Sequence, residues 1–109
     1  MEQTLSSMDL ATFEKHAGAV SALLAALGNQ RRLMVMCKLA EHGELTVSAL
    51  AAEVGLGQSA LSQHLAKMRA EGLVAFRRES QALWYRIADP RCERLLQTLY
   101  DLYCKDTER

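Results

Sequence analysis

The sequence predicts a mainly α fold with one small β-hairpin, in the order four helices, two strands and a last helix. Three observations predict it. Apolar residues recur with helical spacing through most of residues 9–70. Between residues 73 and 87 the apolar period drops to that of a strand. At Asp89-Pro90 a capping acid followed by proline restarts a helix.

In residues 9–27, Leu10, Phe13, Ala17, Val20, Leu24 and Leu27 form a stripe of helical period, with Asp9 as N-cap and Gly28 as stop. Such a stripe is core or, near the end of a short chain, a dimer surface. A second helix runs from about Asn29 to Glu41. Its inward face is predicted as Leu33, Met36, Cys37 and Ala40, with Arg31, Arg32 and Lys38 pointing elsewhere. His42-Gly43 ends it. Thr46 caps a short third helix over 47–54, with Val47, Leu50, Ala51 and Val54 inward. Gly55-Leu56-Gly57 is a tight turn, and a fourth helix spans 58–70, stopping before Gly72. The runs 73–78 and 82–87 are strand-like, separated by the polar tip Glu79-Ser80-Gln81. The last helix, 90–104, carries a wide apolar face of Leu95, Leu96, Leu99, Tyr100, Leu102 and Tyr103.

A length of 109 residues, 50% apolar and 24% charged, fits one globular domain over 1–109, with 1–8 and 105–109 expected to be flexible. No apolar run approaches the roughly 20 residues that span a bilayer. The N-terminus lacks the basic start and apolar stretch of a secretory signal, so a cytoplasmic chain is expected, with no membrane partner. Net charge is zero, but its distribution is uneven. Residues 55–88 hold five bases (Lys67, Arg69, Arg77, Arg78 and Arg86) against two acids, Glu71 and Glu79. A nucleic-acid surface requires such clustering, although charge alone leaves a solvated face equally open. Three cysteines, Cys37, Cys92 and Cys104, do not make a disulfide scaffold. In a reducing compartment they are apolar fillers, metal ligands or reactive thiols.

A short helix joined through a brief glycine turn to a second helix is the helix-turn-helix pattern, and the hairpin after it supplies a wing. In the fourth helix Leu61, Leu65 and Met68 face the core by their spacing. The remaining face offers Gln58, Ser59, Ser62, Gln63, His64 and Lys67. Glutamine reads adenine through two hydrogen bonds, serine bonds several bases or a phosphate, and Lys67 suits the backbone. Arg77 and Arg78 on the hairpin lie where a wing touches flanking phosphate or minor groove. Double-stranded DNA is therefore the expected partner.

The segments RRLMVMCKL at 31–39, ELTVSAL at 44–50, GLGQSALSQHL at 55–65, EGLV at 71–74 and WYRI at 84–87 resemble the ArsR/SmtB family of bacterial repressors. The resemblance covers about residues 10–104, and QSALSQHL is its most specific part. Gly57 departs from the serine common there, though glycine is an acceptable N-cap. The resemblance implies a homodimer paired through its first and last helices, bound to a two-fold operator until an inducer acts.

The family's ligand sites differ among its members. Thr46 and Ser48 stand where arsenic- and cadmium/lead-type sensors carry thiols, and hydroxyls are poor ligands for soft metals. The zinc- and nickel-type pattern wants histidine where Arg91 stands. His16, His42 and His64 are not paired at ligand spacing. No metal site of a known family type, and no cofactor, is therefore expected. Cys37 and Cys104 match the placement in the sulfide- and redox-responsive subgroup (the BigR, SqrR and HlyU type). That resemblance implies release of DNA when reactive sulfur species or an oxidant join the two thiols, directly or through extra sulfur. Sensing of peroxide or disulfide stress, or a non-standard metal site, stands as the nearer alternative. A small thiol enzyme is the remote one, since no C-x-x-C, anion loop or Cys-His arrangement is present. Cys92 lies 12 residues from Cys104 on one helix, roughly 18 Å, too far for a disulfide. Its place in the helix's first turn predicts a lowered thiol pKa, and its role is read as accessory or incidental.

Overall fold

A computed structural model describes residues 8–105, so the expected flexibility of 1–7 and 106–109 lies outside the described residues. The elements are α1 (Leu10–Leu27), α2 (Gln30–His42), β1 (Leu45–Thr46), α3 (Val47–Val54), α4 (Gln58–Ala70), β2 (Val74–Glu79), β3 (Ala82–Ile87) and α5 (Pro90–Cys104). Among the described residues no helix is long and apolar enough to cross a membrane.

Local chemistry sets the helix starts. The first N–H groups of a helix have no partner within it, so a side-chain oxygen just upstream supplies one. The Asp9 carboxylate accepts from the Thr12 N–H at 3.3 Å, and the Asn29 amide oxygen accepts from the Arg32 N–H at 3.1 Å. Thr46 Oγ1 accepts from the Ala49 N–H at 3.1 Å, and Asp89 from the Arg91 N–H at 3.0 Å. Gly43 and Gly55, at φ 84° and 71°, end α2 and α3 in backbone conformations that a side chain disfavours.

The expected two-stranded hairpin is part of a three-stranded antiparallel sheet, ordered β1-β3-β2. β1 pairs Leu45 with Tyr85 and Thr46 with Trp84. At two residues it is too short to show an alternating pattern. The first hairpin strand begins at Val74, one residue later than expected, because the Leu73 N–H closes the end of α4 onto the Met68 carbonyl at 3.0 Å. Glu79 pairs with Ala82, so the loop is only Ser80-Gln81. Ser80 takes φ 57°, as the tight turns that suit a twisted hairpin require.

The core gathers Val35, Met36 and Leu39 of α2, Leu50 of α3, Leu61, Leu65 and Met68 of α4, and Val74, Tyr85, Cys92 and Leu96. The predicted inward face of α2 needs correcting. Val35, Met36 and Leu39 are fully buried, Leu33 and Cys37 are half-buried, and Ala40 is exposed. α2 packs on both α3 and β3, which rotates its buried face toward those neighbours. The predicted stripe of α1 is largely uncovered: Leu10 is 58% and Leu24 55% exposed. On α5, Leu102 and Tyr103 reach 73% and 78%.

Candidate nucleic-acid interface

α3 and α4 meet through the glycine turn, where the N–H groups of Gly55 and Leu56 both bond the Ala51 carbonyl, at 2.9 and 3.1 Å. α4 divides as its periodicity predicts. Leu61, Leu65 and Met68 are fully buried, while Gln58, Ser59, Ser62, Gln63 and Lys67 are exposed. His64 is half-buried. Gly57 caps α4 without a side-chain bond, so the first N–H groups keep the partial positive charge of a helix N-terminus open to an anion.

The start of α4 and the tip of the hairpin face one groove, lined by Ser48, Gln58, Ser62, Gln81, Ala82 and Leu83 among others. Gln58 Nε2 donates to Ser48 Oγ at 3.4 Å across it. That bond ties the start of α4 to α3, and the hairpin tip forms the other wall of the groove. The other end of α4 meets the hairpin directly: the Arg69 guanidinium lies 4.9 Å from the Phe76 ring centroid of β2.

The two wing arginines do not share a side. Successive residues of a strand point to opposite faces, and here Arg77 stands opposite Trp84 while Arg78 stands opposite Leu83. Arg77 is also engaged. Its Nε donates to Glu44 Oε2 at 2.9 Å, Nη2 to Glu44 Oε1 at 3.0 Å and Nη1 to Glu79 at 2.8 Å. The guanidinium holds the Glu44 carboxyl below the usual carboxylate range. Its carbon also lies 5.4 Å from the Trp84 ring centroid. Arg77 therefore ties the wing to the residue before β1, and Arg78 is the more open wing cation. Glu44 was visible only as the start of ELTVSAL and Arg69 only as one of five clustered bases; no local pattern pairs them with their hairpin partners Arg77 and Phe76.

The cysteines lie away from this surface. Cys37 is half-buried and lines a groove between α2 and α5 with Ala40, Glu41, Leu96, Gln97 and Tyr100. Burial pushes its thiol pKa up, and the Lys38 charge partly offsets that. Cys104 is half-buried one helical turn beyond Tyr100, at the end of α5. Cys92 is fully buried, and the expectation of a lowered pKa is wrong. Burial, with the charges of Asp89, Cys37 and Glu93, pushes it up to about 11. Desolvation of a thiolate outweighs the helix N-terminus. At the positions of the missing thiols, Thr46 caps α3 and Ser48 accepts from Gln58. Asp89 is occupied by Arg91, whose Nε and Nη2 reach it at 3.1 and 3.0 Å.

A helix-turn-helix with an open polar face, flanked by a wing, is the architecture of a DNA-binding transcriptional regulator. Residues 29–75 match the model of the family described as bacterial regulatory protein, arsR family. The transcriptional activator HlyU of Vibrio cholerae is 40% identical over 98 residues, which cover 90% of each chain. The biofilm growth-associated repressor of Agrobacterium fabrum is 38% identical over 104 residues, covering 95% of this chain and 88% of that one. The crystal structure of the repressor BigR from Xylella fastidiosa superposes with a TM-score of 0.83 at 37% identity, covering 89% of this chain and 98% of that one. The chain belongs to the arsR family of bacterial regulators.

Proposed function

We propose that the chain acts as a single winged-helix domain paired into a cytoplasmic homodimer. The dimer represses transcription at a two-fold operator and releases it when sulfur chemistry joins Cys37 to Cys104. The observation that carries the DNA half is the exposed face of α4 beside the wing tip. Gln58, Ser59, Ser62 and Gln63, with His64 at the edge, meet base edges in the major groove. Lys67 and the wing residue Arg78 meet the backbone, while Arg77 braces the wing through Glu44 and Glu79. Pairing is supported by the uncovered Leu10, Phe13 and Leu24 of α1 and Leu102 and Tyr103 of α5. Apolar side chains on two terminal helices are those a second copy would bury.

The switch is supported by the groove from which Cys37 opens toward the face of α5 that leads to Cys104. The thiolate of Cys37 attacks one sulfur of a small disulfide or persulfide, whose S–S bond breaks and whose other sulfur departs as thiolate or hydrosulfide. Cys104 then displaces the second group, so the two cysteines lose two electrons and the inducer gains them. A second persulfide delivers its outer sulfur to Cys104 and departs as thiolate; attack of that cysteine persulfide on the Sγ of persulfidated Cys37 then expels hydrosulfide and leaves a polysulfide bridge instead. A covalent link between α2 and α5 biases their spacing and, through α2, the α3–α4 pair.

The test pairs operator binding with intact mass. Reduced protein should shift a two-fold operator in a salt-dependent manner. Persulfide treatment should abolish the shift, and reductant should restore it. Replacing Cys37 and Cys104 by serine should keep binding and remove the response. A response that survives in that double variant refutes the switch. Mass separates the routes: added sulfur, loss of two hydrogens under peroxide, or a retained metal ion.

A further inference from the structure

The helix pair α2–α3 carries a second cluster of donors, outside the reading face and the two cysteines. Glu41 and His42 close α2, and Glu53 comes from the last turn of α3. His42 Nε2 lies 3.6 Å from Glu41 Oε1 and 3.7 Å from Glu53 Oε1. The three donor atoms all lie within 4.8 Å of one another. The two histidine separations are longer than a hydrogen bond of about 2.7–3.2 Å. They lie a few tenths of an ångström above the roughly 3.3–3.4 Å between donors that share one tetrahedral ion at bonds of about 2.0–2.1 Å, a gap that exposed side chains can close.

A cation already sits against the two carboxylates. Lys38 Nζ is 3.4 Å from Glu41 Oε1 and 3.2 Å from Glu53 Oε1, and these bonds raise its pKa. Lysine is a point charge on a flexible stem, so it can swing into water when a smaller, more highly charged ion takes its place. One imidazole nitrogen and two carboxylate oxygens suit a borderline divalent ion rather than a soft one. The cluster is solvent-accessible, which leaves a coordination position for water.

We propose that Glu41, His42 and Glu53 form a binding site for a divalent transition-metal ion of the zinc type, with Lys38 as the cation it displaces. The ion would clamp the end of α2 to α3, the helix that seats α4. The spacing test applied to the sequence asked only for histidine near histidine, and so passed over a set completed by an acid 11 residues further along. This site stands independently of the thiol switch.

The experiment titrates the full-length protein, freed of metal, with Zn2+ and then Co2+ as the only added ions. One ion per chain should bind, and the melting temperature should rise with it. His42→Ala and Glu53→Gln should each weaken binding by at least about tenfold. Both residues are exposed, and circular dichroism checks that the variants fold. Lys38→Met should tighten binding several-fold, which a purely structural role of Lys38 would not do. Bound Co2+ should show no thiolate charge-transfer absorption. Absence of uptake overturns the proposal. So does uptake that His42→Ala leaves unchanged, or a thiolate band that disappears in the Cys37→Ser/Cys104→Ser variant.

Discussion

Cys37 should react slowly at neutral pH in the folded chain, and its rate should climb steeply with alkali. Its position between α2 and α5 pushes the thiol above its ordinary value of 9.0, and Lys38 restores only part of the difference. Less of it is thiolate at pH 7 than of an exposed cysteine, because burial penalises the charged form. The greater nucleophilicity of a more basic thiolate recovers only part of the loss. The expected rate at pH 7 is therefore below that of an exposed cysteine, and it rises about tenfold per pH unit while the thiol remains mostly protonated. The assay uses the Cys92→Ala/Cys104→Ser background, so that Cys37 is the sole thiol. The chain is treated with iodoacetamide, and separately with a persulfide donor, from pH 6 to 10, and the adduct is followed by intact mass. Lys38→Met removes the positive charge beside the thiolate, and should slow the reaction further at every pH below the plateau. A rate that levels off below pH 8 would refute the reasoning, because the groove would then stabilise the thiolate rather than desolvate it.

Gln63→Ala, on the exposed face of α4, should leave stability within about 0.5 kcal/mol and cut operator affinity by about 5- to 150-fold, read by fluorescence anisotropy at fixed salt. Leu65→Ala removes a fully buried side chain among fully buried neighbours and should cost about 2–5 kcal/mol in urea unfolding. Cys92 should make the fold sensitive to alkali. Its pKa is raised to about 11 in the folded chain, so the unfolded thiol ionises first, near 9.0. Stability from this group is intact below pH 9 and falls by roughly 2–3 kcal/mol as pH rises toward 11. Cys92→Ala should flatten that part of the unfolding profile.

The reading face of α4 was legible because a helix face depends only on the period of its own residues. Leu61, Leu65 and Met68 fix what is inside, and the polar set Gln58, Ser59, Ser62, Gln63 and Lys67 follows on the outside. The wing was legible only as a hairpin. Strand alternation already places Arg77 and Arg78 on opposite faces, but Glu44, which holds Arg77, stands 33 residues earlier. Among the cysteines, a position in a helix's first turn suggested an activated Cys92. The opposite outcome came from core packing, a property no local window contains.

Local sequence by itself determined where the helices begin and end. Asp9, Thr46 and Asp89 satisfy N–H groups within three residues, and Gly43 and Gly55 supply turns that need no distant partner. Tertiary structure decided the rest. It added β1, whose two residues become a strand by pairing with Tyr85 and Trp84 some forty positions on. It also chose the buried face of α2, raised the two thiols, and brought Glu53 to His42. Each of these depends on contacts between segments far apart in the chain, whose free energy comes from packing and desolvation rather than from the period or capping of any one segment.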